Sequence, residues 1–245
     1  MNIFFEMHSN LPQQAPGSKT STLKALAAIP KPRSEAQILD VGCGPGRQTV
    51  LLAQETGCDI TAIDTHQPFL DEVRQRAAEA DVSDIIHTVN CPMEAMEFEN
   101  GRFDIIWSEG AIYIMGFRDG LVAWRRFLKP GGFIAVTELT WLTDSPPEEA
   151  RLFWAEDYPA MSSVDANLDM IRESGYELVS HFTLPESDWW TGYYRPLEKR
   201  IEALRSLYAS DKAALDVFES TNREIDIYRK YASSYGYVFY VMKAI

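Results

Sequence analysis

Cysteine is scarce in this chain: 245 residues contain three (Cys43, Cys58 and Cys91), an odd number with no CxxC spacing and no histidine set beside them. That argues against a disulfide framework or a zinc site, and a reducing compartment fits best. Positive charge is short as well. Twenty-three Lys and Arg against 36 Asp and Glu give a formal charge of -13, which would repel nucleic acid and anionic lipid rather than gather them. Long apolar runs are missing: stretches such as GGFIAV fall far below the roughly 20 residues a membrane helix needs. The start, MNIFFEMHSNLPQQ, has no basic region ahead of an apolar run and carries Glu6 and His8 where a signal peptide would be hydrophobic. A soluble, cytoplasmic protein is therefore expected, with neither nucleic acid nor membrane as partner. The four histidines (His8, His66, His87 and His181) have no spacing that suggests a triad or a ligand set, so no metal is expected. Internal repeats and low-complexity tracts are also absent.

What the chain does have is 46% hydrophobic and 24% charged residues, the balance of a globular fold, and a length that one α/β domain spanning 1–245 can fill. Short β-branched runs alternate with segments of helical period, the pattern of βαβ units around a parallel sheet. Strands are expected at Ala36 to Gly42, Cys58 to Asp64, Asp84 to Asn90, Arg102 to Ser108 and Gly131 to Leu139, the last entered through a turn at Lys129 to Gly132. Pro68 opens the second connecting helix, where its missing N–H costs no hydrogen bond. Later runs at Tyr176 to Leu184 and Gly236 to Ala244 read as a closing antiparallel pair. The segment 185–235 between them is too long for an ordinary connection and is expected to form a helical cap.

The sharpest local signal is Asp40-Val41-Gly42-Cys43-Gly44-Pro45-Gly46, set directly between a strand and a helix. Glycines there let backbone come within contact distance of a ligand. A dinucleotide loop would read GxGxxG to seat a pyrophosphate on the helix N-terminus, whereas here the sixth position is Arg47. An acid in the loop's mouth would repel a pyrophosphate and suits a ligand carrying an amino group and a sulfonium. Asp64, 24 residues after Asp40, ends the next strand, where a carboxylate can accept hydrogen bonds from a ribose diol. The plainer reading is a tight turn and a helix-capping aspartate.

ILDVGCGPGRQT, the acid of ITAID, the FDIIWSEGAIYIMG run and LKPGGFIAVTE resemble the successive motifs of the class I S-adenosylmethionine-dependent methyltransferases, in family order across about residues 36–140. The resemblance implies a Rossmann-like sheet of seven strands, mostly parallel, in order 3-2-1-4-5-7-6 with the seventh strand antiparallel, and S-adenosylmethionine across the C-terminal ends of strands one to four. It puts Gly42, Cys43 and Gly44 under the amino acid part of that cofactor, Asp40 in the loop's hydrogen-bond network, Asp64 on the ribose and Ser108 beside the cofactor. CPMEAMEF would wrap the adenine, with the Met93 backbone and Glu94 in contact; Pro92 stands where many relatives place an acid. QQAPGSKTSTLKAL resembles an N-terminal element that folds over the cofactor, so residues 1–33 are expected as an arm and helix with Gly17 and Ser18 near it.

Methyl transfer from a sulfonium mainly requires alignment and exclusion of water. If the acceptor is an amine or hydroxyl, a base helps, and Glu109 after the fourth strand is the candidate; its alternatives are binding the cofactor's ammonium or simply starting a helix. Tyr113, Glu138, Trp141 and Trp189 are candidate acceptor contacts, with a cap core as the bland reading of the aromatics. The expected function is methyl transfer to a small-molecule acceptor. A nicotinamide-dependent oxidoreductase and a non-catalytic cofactor-binding or partner-binding module stand as alternatives, and a homodimer is left open.

Overall fold

A computed structural model of the chain describes residues 3–33 and 35–245; Met1 and Asn2, the first residues of the expected arm, and Ser34 lie outside the described residues. Among the described residues eight strands form one sheet: β1 Gln37–Val41, β2 Asp59–Asp64, β3 Ile86–Asn90, β4 Phe103–Ser108, β5 Leu128–Trp141, β6 Ser162–Ser163, β7 Tyr176–Thr183 and β8 Tyr235–Ala244. Their order is β3-β2-β1-β4-β5-β8-β7, with β6 attached to β5 off this path. Setting aside the two-residue β6, this is the expected 3-2-1-4-5-7-6. Strands β1 to β5 run parallel, and β8 is antiparallel to both β5 and β7.

The central strands read as continuous apolar runs because helices cover both faces. Ile38, Ile105, Trp107 and Ala135 pack on one side, and Leu39, Val41, Ile106 and Val136 on the other. At the sheet's edge β7 instead alternates between buried or half-buried and exposed residues. The expected turn at Lys129 to Gly132 is a bulge inside β5: Phe103 pairs with Leu128 and Ile105 with Phe133, while Gly131 takes a positive φ of 73°.

The helices that position the site follow local signals. Helix α1 (Ile3–His8) starts the arm. Ser18 caps α2 (Lys19–Leu26) by accepting from the Ser21 N–H. Between left-handed Gly46 and Gly57 runs α3 (Arg47–Thr56), and Pro68 lies in the first turn of α4 (Gln67–Glu79). Beyond α5 (Phe117–Arg125) come α6 (Glu148–Asp157), which the sequence pattern did not announce, and α7 (Val164–Glu173). The segment between β7 and β8 is helical: α8 (Glu186–Trp189), a π-helical turn at Trp190–Tyr194, α9 (Arg195–Arg205) and α10 (Lys212–Tyr231), the last capped by Asp211.

The arm runs between the sheet and these helices. Phe5 stacks on His66 with ring centroids 3.9 Å apart. At the other end of α1, His8 Nε2 lies 3.3 Å from the Tyr193 hydroxyl. Arg200 and Tyr208 both donate to Glu6.

Candidate active site

At the C-terminal ends of β1, β2 and β4 lies a crevice of about 490 Å3, floored by Gly42, Cys43 and Gly44 and bounded by Asp64, Met93, Glu94, Glu109 and Tyr113. Gly42 and Gly44 take positive φ values of 69° and 53°. A β-carbon on Gly42 would come 2.4 Å from the Ala111 Cβ, so glycine is required there twice over, by conformation and by space.

Asp64 braces the loop. Its Oδ2 accepts from the Gly44 N–H at 3.0 Å and its Oδ1 from the His66 N–H at 2.8 Å. Asp40 is fully buried and faces α3 rather than the crevice, accepting from the Thr49 hydroxyl at 2.6 Å. Burial pushes its carboxyl up to about 7 against the opposing hydrogen bonds from Thr49 and Gln48, and the negative charges of Glu109 and Asp64 raise it further. The crevice itself is lined by three carboxylates, Asp64, Glu94 and Glu109, against one cation, Arg47, so the mouth of the loop is electronegative. Burial also pushes up the Cys43 thiol.

Glu109 is saturated. Its Oε1 accepts from the Thr22 hydroxyl at 2.8 Å and from the Trp107 indole N–H at 2.9 Å, and its Oε2 pairs with the Arg47 guanidinium at 2.8 Å. Three protein donors, from Thr22, Trp107 and Arg47, already occupy its two oxygens. Gly17 backs this pair: a β-carbon there would meet Arg47 Nη2 at 3.1 Å and Glu109 Oε2 at 3.2 Å. It is not itself on the crevice wall, and neither is Ser108, which is fully buried with its hydroxyl unpartnered.

Sequence reasoning missed Arg47 and Gln14 as functional groups. Arg47 Nε and Nη1 and Gln14 Oε1 are buried without partners among the described residues, and both residues line the crevice. An arginine filling the sixth loop position, where a dinucleotide loop needs glycine, was the available signal for the first. Nothing in the local pattern marks Gln14, which reaches the loop only because the arm crosses it.

A second cavity of about 240 Å3 shares Gln14, Ala15, Pro16, Gly110 and Tyr113 with the first. Trp189 lines it, stacked on Tyr228 at 4.0 Å. Glu138 does not; it lies behind the wall, where its Oε1 accepts from the wall residue Tyr158 at 2.6 Å. Burial pushes Glu138 up to about 8. Trp141 lines neither cavity and packs edge-on to Tyr235 at 5.8 Å, a core contact at the end of β5. The sequence also passed over Glu224 and Tyr237, both on this wall.

A family model described as a methyltransferase domain matches residues 38–132. The chain is 31% identical over 154 residues to malonyl-[acyl-carrier protein] O-methyltransferase of Enterobacter lignolyticus, covering 62% of this chain and 55% of that protein. It is 27% identical over 195 residues to sterol 24-C-methyltransferase of Kluyveromyces lactis, covering 76% and 51%. The chain thus spans about half the length of these curated relatives. In fold it is similar to a SAM-dependent methyltransferase from Geobacter sulfurreducens in complex with S-adenosyl-L-homocysteine, with a TM-score of 0.86 at 20% identity over 100% of this chain and 98% of that one. Glycine loop, strand order and relatives agree: residues 38–132 match a methyltransferase domain, and the chain is similar in sequence and fold to S-adenosylmethionine-dependent methyltransferases.

Proposed function

We propose that residues 1–245 act as one methyltransferase domain that transfers the methyl group of S-adenosylmethionine to a small-molecule acceptor. The observation that carries this is the Gly42-Cys43-Gly44 floor, left-handed at both glycines, which is bounded by Asp64 and opens past Gly110 and Tyr113 into a second cavity. The crevice's unpartnered atoms fit the cofactor's amino acid end: Arg47 supplies N–H donors for a carboxylate, and Gln14 Oε1 supplies an acceptor for an ammonium. Asp64 would take the ribose hydroxyls, with Met93 and Glu94 at the adenine end. The bound cofactor supplies an electrophilic methyl on a sulfonium.

The protein's part is alignment and exclusion of water. From the arm, Phe4, Phe5 and residues 13–16 would cover the crevice, with Gly17 holding the arm against the Arg47–Glu109 pair, and residues 185–235 would roof the second cavity. Tyr113 and Trp189 would bound the acceptor, and Tyr158 would relay the position of Glu138. Asp40 and Ser108 support the loop and β4 from behind. The electronegative loop mouth favours a sulfonium over a pyrophosphate and so weighs against a nicotinamide cofactor. Scarce cysteine supports the cytoplasm as its location. No described helix is long and apolar enough to cross a membrane, and the acidic charge disfavours nucleic acid as acceptor.

Isothermal titration tests the donor assignment. Saturable one-to-one binding of S-adenosylhomocysteine is expected, and NADH should produce no heat of binding; the reverse pattern would end this reading. A non-catalytic module would bind S-adenosylhomocysteine yet release none from S-adenosylmethionine across a broad metabolite screen.

A further inference from the structure

We propose that the acceptor is a small amine, bound as its ammonium in the second cavity with Glu224 and Asp157 facing its charge. The proposal rests on the methyl-transfer reading above and deepens it to a substrate class.

Size comes first. At about 240 Å3 the cavity falls below the roughly 300 Å3 at which pockets for drug-sized ligands begin, so the acceptor is small. Its position also suits an acceptor: the cavity meets the donor crevice along Gly110 and Tyr113.

Charge then selects among small acceptors. Among the described residues the wall carries two carboxylates, Glu224 and Asp157, and no lysine, arginine or histidine. An anionic acceptor would meet two acids and no counter-charge, a repulsion that burial strengthens. The rest of the wall is largely aromatic, from Tyr113, Trp154, Tyr158, Trp189, Tyr193 and Tyr237. Aromatic faces attract cations, the more so when water is excluded.

Glu224 is the pivotal group. Its Oε1 accepts from the Tyr194 hydroxyl at 2.8 Å, its other oxygen has no hydrogen-bond partner among the described residues, and the residue lines the cavity. Burial pushes its carboxyl up to about 7, so an arriving cation tips it into the charged form. The same group can then serve the chemistry. A bound ammonium has no lone pair until a proton leaves. Glu224 takes that proton as the nitrogen forms its bond to the methyl carbon and the donor's sulfur–carbon bond breaks; the products are a methylated ammonium, a neutral Glu224 and S-adenosylhomocysteine. Charge balances on both sides.

The test uses the full chain loaded with S-adenosylhomocysteine at pH 7.5 and three probes of similar shape: benzylamine, benzyl alcohol and benzoate. Titration calorimetry is expected to show benzylamine binding at least tenfold more tightly than the alcohol, with benzoate weakest. Glu224→Gln should remove most of that preference while leaving alcohol affinity within about twofold. Asp157→Asn, at the exposed rim, should reduce it less, and serves as the second variant if Glu224→Gln does not fold. Alcohol or benzoate binding as tightly as the amine, no binding of benzylamine, or a preference intact in the Glu224→Gln protein would overturn the proposal. Loading is measured before any probe is added. Failure there strikes the methyl-transfer reading itself, whereas loading without amine preference strikes only the substrate class.

Discussion

Replacing Asp64 with alanine separates the two jobs its carboxylate would perform. One is visible in the fold: two backbone N–H groups, of Gly44 and His66, donate to it at 3.0 and 2.8 Å. Hydrogen bonds to a charged group contribute about 1.5–3 kcal/mol each. Asp64 is partly exposed, so water replaces much of what is lost, and a net destabilisation of about 1.5 kcal/mol is the reasonable magnitude. For a chain of this size that lowers Tm by roughly 3–6 °C. The other job is ribose binding, where losing one charge-assisted bond corresponds to at least about tenfold in Kd. Thermal melting and titration with S-adenosylhomocysteine read these separately. Asp64→Asn keeps an acceptor oxygen for one backbone donor and should fall between wild type and alanine in both. Wild-type affinity in the alanine protein would refute the ribose assignment, and an unchanged Tm would refute the bracing of the loop.

Gly42→Ala drives a β-carbon to 2.4 Å from the Ala111 Cβ, and overpacking of this kind costs about 1–3 kcal/mol before the left-handed backbone is counted. Denaturant unfolding should show the loss, and adding Ala111→Gly should recover part of it; a wild-type midpoint for the single variant would contradict the packing argument. Glu109→Gln breaks an ion pair whose side chains are 20% exposed for Arg47 and 5% for Glu109. Melting should reveal destabilisation toward the low end of about 3–5 kcal/mol, with S-adenosylhomocysteine affinity falling as well. A fully stable protein that binds S-adenosylhomocysteine normally but transfers methyl slowly would restore Glu109 as a base.

Glu138 predicts a pH dependence. Its carboxyl is raised from 4.5 to about 8, so between those values the folded state holds a proton that the unfolded state releases, and stability falls as pH rises through that window. Asp40 and Glu224 act in the same direction but only up to about 7. From pH 7 to pH 8.5 Asp40 and Glu224 finish titrating while Glu138 makes the largest contribution, and Glu138→Gln should reduce the decline in Tm there. An equal slope in both proteins would refute it.

The sheet was legible because each central strand is a short apolar run bounded by turn residues, and helical period fills the intervals between them. Where the text was locally ambiguous the structure departed from it. Lys129-Pro130-Gly131-Gly132 reads as a turn in isolation, yet pairing with β4 absorbs it as a bulge. Helix α6 begins after Pro146-Pro147 with no capping side chain, and only the acid pair Glu148-Glu149 in its first turn marks its start. Trp141 looked like a site residue because it stands at a strand's C-terminal end, and it packs, half-buried, against the core residue Tyr235 instead.

The sequence by itself determined where the central strands lie, the glycine floor and the acid at the end of β2, since each depends on neighbours in the chain and on backbone conformation; the strand order was implied only by the resemblance of the motifs to a known family. The fate of the other carboxylates was decided only in three dimensions. Glu109 is saturated by partners from positions 22, 47 and 107, and the second cavity joins Tyr113 to Trp154, Glu224 and Tyr237. A side chain's protonation and reach depend on which distant groups fold against it, and no local pattern encodes those distances.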